Sequence, residues 1–255
     1  MKKLSVVLGL VAAVMFLIGS GEFLCAEQAK NPVEGQNWTS PSTGMEFVWI
    51  EALEMWVGKY EATNEEYRMK EPAHDSGDYK GHTLNKKRQP VVKISFLNAK
   101  EYAEWMTERD RGVLPSGYRY RLPSRNEWMT FVRCGDDRKY PWGNNWPPVS
   151  GKAGNYSDET AGKKLGETDI IQGYDDGHAV TGPVDELWIN RWGLAGVGGN
   201  AWEACASDST GESFGAWKGA AWTGSFPTGL RCSRKLTRRE GDPYGSRGFR
   251  LVLSR

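Results

Sequence analysis

The sequence predicts an α+β domain with little regular secondary structure and a loop-rich second half. Two capping boxes, Thr63 with Glu66 and Ser124 with Glu127, place helix starts in the first half of the chain. Short apolar or alternating runs lie around them and read as strands. After Gly135 helical periodicity gives way to Gly, Asn, Asp, Pro and Trp. The 255 residues include 31 Gly and 12 Trp, and large rings can fill a core that regular elements leave open.

Taken in order, "MEFVWI" (Met45–Ile50) and "MWVGKYEAT" (Met55–Thr63) read as strands, and Thr63 opens a helix. Pro72–Pro90 is polar and turn-rich, so it is a loop. "PVVKISF" (Pro90–Phe96) reads as a strand, and a helix follows from Asn98. Its apolar face carries Ala99, Tyr102, Ala103 and Met106 at helical spacing. Ser124 caps a third helix that runs to about Arg133, where Gly135 can close it. The short apolar piece "GFRLVLS" (Gly248–Ser254) follows at the far end.

Residues 1–26 have a basic start at Lys2 and Lys3, a run of apolar residues and then small residues, the pattern of a secretory signal peptide. Cleavage is expected after Ala26, with Gly21 as the alternative site. The mature chain is therefore expected to be exported, periplasmic or extracellular, with no membrane span. Leu24 before Cys25 is not the small residue that a lipidation signal carries. Residues 27–43 read as a polar linker and 44–255 as the domain. Export places Cys134, Cys205 and Cys232 in an oxidising compartment, where three thiols allow at most one internal bridge.

Lys+Arg number 33 and Asp+Glu 32, a formal net charge of +1, so nothing electrostatic points to nucleic acid. "GVGGNA" (Gly196–Ala201) has glycine spacing but no strand-to-helix context for a dinucleotide. His74, His82 and His178 show no metal spacing. The turns "GNYSDE" (Gly154–Glu159) and "GYDDGH" (Gly173–His178) admit two readings. They are Asx-turns, or they offer Asn155 and Asp176 oxygens to a hard cation such as Ca²⁺.

In order along the chain, "KYEATNEEY", "QPVVKISFLNAKEYAEWM", "YRYRLPSRNEWMTFVRCG", "YPWGNN", "GNAWEACASD", "KGAAW" and "GSRGFRLV" resemble the landmarks of the sulfatase-modifying factor family, the formylglycine-generating enzymes and their relatives. The resemblance spans roughly Met45 to Arg255. It implies a C-type-lectin-like α+β fold of low secondary-structure content. It also implies an oxidoreductase that converts a sulfatase cysteine to formylglycine, using Cu(I) on two cysteines shortly after a landmark that is here Gly219–Trp222. Gly224 and Gly229 stand where those thiolates belong. Soft Cu(I) needs soft sulfur donors, so this argues against copper.

The same resemblance implies a first calcium site of Asn155, Tyr156, Asp176 and His178, the last through its carbonyl. A second set is Gly199, Ala201 and Glu203, with Gly196 where a further Asp or Asn ligand belongs. It implies a Cys134–Cys232 disulfide and leaves Cys205 as a buried thiol. The expected function is a secreted, calcium-stabilised, non-catalytic binding or scaffold protein whose groove of Trp and Arg takes a protein, peptide or glycan. The basic segment Thr228–Asp242 is a candidate for facing that ligand. The alternative is a formylglycine-generating-type oxidoreductase, or a related metal oxygenase, with non-standard ligands.

Overall fold

Short strands with two-faced alternation set the architecture. The computed structural model describes residues 31–207, 216–237 and 245–255. The expected signal peptide and the end of the basic segment, residues 238–242, lie outside the described residues. The main sheet is antiparallel. It contains β1 (Trp38–Thr39), β2 (Glu46–Ile50), β3 (Met55–Gly58), β6 (Arg119–Arg121) and β11 (Val252–Ser254), in the spatial order β1-β2-β3-β11-β6. Between β3 and β6 in sequence lie α1 (Asn64–Tyr67), the small hairpin β4 (Asp78–Tyr79) and β5 (His82–Thr83), and α2 (Phe96–Asp110). After β6 come α3 (Arg125–Arg133) and α4 (Glu159–Leu165). A second sheet follows from β7 (Trp202–Cys205), β8 (Ala216–Lys218), β9 (Lys235–Thr237) and β10 (Arg247–Gly248), in the order β10-β7-β8-β9.

Successive residues of a strand point to opposite faces, and the main sheet uses both. Phe47, Trp56 and Leu253 face one core with Ala99, Tyr102, Ala103 and Met106 of α2. Ile50, Met55, Val57 and Val252 face another with Trp128, Phe131 and Val132 of α3. The sheet is thus sandwiched between two helices, and the apolar face of α2 was legible in the sequence. Both predicted capping boxes are formed, with the Thr63 and Ser124 hydroxyls accepting the Glu66 and Glu127 N–H groups. Among the described residues no helix is long and apolar enough to cross a membrane.

Four expectations are corrected. Residues 27–43 are not a linker throughout: from Asn31 they belong to the domain, β1 pairs with β2, and buried Trp38 donates to the Tyr120 hydroxyl at 2.9 Å. "PVVKISF" forms no strand. Val91, Val92 and Ile94 are buried, but Lys93 at φ 59° turns the chain and ends any ladder. Helix α2 therefore starts at Phe96 rather than Asn98, capped by Ser95 with Asn98 in return. Finally, α4 lies where no helix was read: Asp158 caps it and Gly166, at φ 68°, ends it.

One ion pair ties these parts together. Arg250 and Glu203 are both buried and meet at 2.8 Å. Every donor of the guanidinium is used: Nε and Nη2 reach Glu203 Oε1, Nη1 reaches the Gly58 and Lys59 carbonyls, and Nη2 also reaches the Ala195 carbonyl. Glu203 Oε2 accepts the Trp128 indole N–H at 2.6 Å. A second buried cation, Lys218, lies over the Trp128 ring and donates to the Cys232 carbonyl at 2.9 Å. Burial pushes its amine down to about 8, against the pull of Cys205 and Cys232.

Breaking a buried pair on one side leaves an uncompensated charge. Arg250→Met is expected to lower unfolding stability in urea by about 3–5 kcal/mol, and adding Glu203→Gln to recover part of that loss. For Lys218, both native and unfolded amines are protonated below about pH 8. Between about 8 and the ordinary 10.5 only the unfolded amine holds its proton, so the lysine's contribution to stability rises with pH across that window. Urea unfolding of Lys218→Met should therefore compare best with the wild type at neutral pH and lose ground toward pH 10.

Candidate functional site

The chain from Gly219 to Cys232 folds as a run of tight turns. Gly219 has φ 86°, and a Cβ there would stand 3.2 Å from both the Gly198 Cα and the Trp128 ring, so this glycine admits a close approach of two backbones. Ala220, Ala221 and Trp222 are buried. Turn hydrogen bonds follow from Gly224 to the Ala221 carbonyl and from Gly229 to the Phe226 carbonyl. The loop is anchored on both sides: Ser157 N–H donates to the Gly224 carbonyl, and Cys232 N–H to the Lys139 carbonyl. Phe226 projects from its crest, 59% exposed.

Neither expected thiolate position offers room for one without adjustment. A Cβ on Gly224 would lie 2.8 Å from Leu230 Cδ2, and one on Gly229 3.3 Å from the Phe226 carbonyl. Three cysteines lie among the described residues. Cys134, Cys205 and Cys232 are all buried and none of them is in a disulfide, so the expected Cys134–Cys232 bridge is not formed in this structure. Cys134 is the left-handed C-cap residue of α3, at φ 51°. Cys205 and Cys232 pack into the core beneath the main sheet with Trp128 and Val252. Burial pushes the Cys232 thiol up to about 11 and raises that of Cys134, which opposes the thiolate form needed for nucleophilic or metal chemistry.

An aromatic ledge borders the loop. Tyr140 and Trp142 stack at 4.7 Å and 2°, Trp146 leans on both, and this group packs with Ala220, Leu230, Tyr156 and Tyr174. Of the twelve tryptophans, five are buried and seven, Trp142 and Trp146 among them, are half-buried. The expected groove of Trp and Arg is therefore narrower than the composition suggests. Arg250 is core, Trp142 and Trp146 are half-buried in the cluster that includes Ala220 and Leu230, and Phe226 is exposed on the loop itself.

The first calcium set is brought together by a short hydrogen-bond network. Asp176 accepts the Tyr156 N–H at 2.8 Å and the His178 N–H at 3.0 Å. Asn155 donates to the Val180 carbonyl and to Asn200 Oδ1. That leaves Asn155 Oδ1 buried with no hydrogen-bond partner. Among the described residues no donor reaches the Tyr156 or His178 carbonyls either. Burial and the neighbouring Asp158 push the Asp176 carboxyl up to about 8, as expected for an anion without a counter-charge. An orphaned amide oxygen, free carbonyls and an uncompensated carboxylate form a donor set that fits a hard cation.

The second set differs. Three donors from Arg250 and Trp128 already occupy the Glu203 carboxylate, and Arg250 supplies its counter-charge, so these residues do not fit an ion as the first set does. The sequence reading also missed Glu61. This buried carboxylate accepts from Ala201 N–H and Asn200 Nδ2, and its Oε2 lies 3.6 Å from where a Cβ on Gly196 would stand. Burial and the charge of Glu203 push it up to about 8. Its only signal in sequence was its place just before the Thr63 cap. Among the described residues no group of three or more His, Cys, Asp or Glu is arranged to hold a metal.

Comparison with known proteins bears on the family and the fold. Residues 11–255 match the Sulfatase-modifying factor enzyme 1-like domain. The formylglycine-generating enzyme of Thermomonospora curvata is 33% identical over 118 residues, 46% of this chain and 33% of that protein. The inactive C-alpha-formylglycine-generating enzyme 2 of Mus musculus is 30% identical over 173 residues, 65% of this chain and 49% of that protein. The matches thus span between a third and a half of these relatives. PvdO from Pseudomonas aeruginosa has the same fold, with a TM-score of 0.63 at 17% identity over 88% of this chain and 100% of its own. A match this long, on this fold and around this loop, means that the chain belongs to the sulfatase-modifying factor enzyme 1-like domain family.

Proposed function

We propose that this protein is an exported, calcium-stabilised member of the family that binds a partner rather than oxidising one. The observation that carries the reading is the pair Gly224 and Gly229. The loop that would present two thiolates has glycine at both places, and Leu230 fills the space above the first. Soft-metal chemistry has no donor there. What the loop does present is an exposed Phe226, while Ala220 and Leu230 of the same loop pack with half-buried Trp142 and Trp146, and aromatic side chains are the kind that anchor a protein, peptide or glycan. A relative that is itself called inactive matches a longer stretch of this chain than the formylglycine-generating enzyme of Thermomonospora curvata does.

A second reading rests on Cys205 and Cys232, which share one core cluster and both act on Lys218. A formylglycine-generating-type enzyme, or a related oxygenase, would have to use these thiols. Both are buried, so the loop would have to open before oxygen or a peptide could reach them.

The readings separate by assay. With copper and a sulfatase peptide carrying its cysteine, the folded protein is expected to show no conversion of cysteine to formylglycine by mass spectrometry. Conversion that is lost in Cys232→Ser would establish the second reading. Calcium is tested independently by melting. At a free ion concentration 100 times Kd, binding adds about 2.7 kcal/mol, which is about 5–10 °C in Tm for a domain of this size. A chelator is expected to remove that increment, and Asp176→Asn to abolish the response. An unchanged Tm would mean the ion does not bind.

A further inference from the structure

On the side of α4 lies a cleft of about 400 Å³, lined by residues of the β5 region, α4 and the segment 177–183. Four basic side chains line it: His82, Lys86, Lys164 and His178. No Asp or Glu does. In a chain of net charge +1, that is a local excess of one sign. Among the described residues no carboxylate pairs with Lys86 or Lys164, although neighbouring Lys80, Lys87 and Lys163 each have one. At His178 the negative charges of Glu186 and Asp158, from outside the lining, act together with the positive charge of Lys164.

The walls are held in place. Buried Gln89 donates to the Thr83 carbonyl at 3.0 Å and to the Thr181 carbonyl at 2.6 Å, which fixes one wall to the other. Gly182 lies directly under the His178 ring: a Cβ there would come within 2.9 Å of it. Thr181, 2% exposed, belongs to the wall, and its hydroxyl has no hydrogen-bond partner. A buried hydroxyl without a partner is costly.

We propose that this cleft binds a tetrahedral oxyanion, a phosphate or sulfate group, free or esterified. Lys86 and Lys164 supply its counter-charge. Ammonium groups bind such anions as point charges, strengthened by hydrogen bonding. The site uses none of the residues of the 219–232 loop and holds whether or not that loop has a partner.

Calorimetric titration of the full chain at low ionic strength, with sodium phosphate, sodium sulfate and sodium chloride, tests it. Saturable binding of phosphate or sulfate, but not chloride, is expected, and the tighter of the two identifies the group. Lys86→Gln and Lys164→Gln should each weaken binding by about tenfold, the scale of one charge-assisted hydrogen bond. Lys100→Gln, on α2, should leave it unchanged. These lysines are exposed, and equal melting temperatures would show that the variants fold. No saturation by either anion, or an affinity unaltered in the Lys86→Gln/Lys164→Gln double variant, would overturn the proposal.

Discussion

The pairing of Arg250 with Glu203 is the constraint on which the remaining structure depends. It joins the end of β3, the turn at Ala195, β7 and the stretch between β10 and β11, segments far apart in sequence. Buried ion pairs often add little net stability over apolar residues of the same shape. What this one does add is selection among arrangements, since a planar guanidinium with all its N–H groups satisfied tolerates few alternatives. Glu203 also orients Trp128, and Trp128 in turn lies against Gly219 and Lys218. The position of the 219–232 loop follows from that chain of contacts rather than from regular hydrogen bonding.

How legible this was in the sequence varied with the range of the interaction. Capping boxes and the face of α2 are local patterns, so Thr63, Ser124 and Ala99–Met106 were read correctly from spacing alone. The α+β class and the loop-rich second half followed from the same patterns. Val91–Ile94 looked like a strand because its residues are apolar, but a single left-handed Lys93 overrides that preference. The cap at Asp158 was misread as turn chemistry, since Asp and Asn serve both purposes. Trp38 was assigned to a linker because its partner, Tyr120, is 82 residues away.

Within the site, backbone positions were easier to read than side-chain partners. Gly224 and Gly229 could be placed from landmarks, and so could Asn155 and Asp176. Glu61 could not, because its role depends on Asn200 and Ala201, about 140 residues later. The thiols illustrate the same limit. Spacing says nothing about which face of a turn a cysteine takes, and Cys134 sits in a left-handed helix cap whereas Cys232 is packed into the core beneath the sheet.

The spatial order of the main sheet has a consequence for synthesis. Its strand β11 follows both β3 and β6 in sequence, far from either, yet lies between them. A ribosome releases residues in sequence, so β3 and β6 must wait, each with an unpaired edge, until residues 252–254 have emerged. During that interval the nascent polypeptide exposes backbone capable of pairing with other chains, and the main sheet is completed only when β11 takes its place between them.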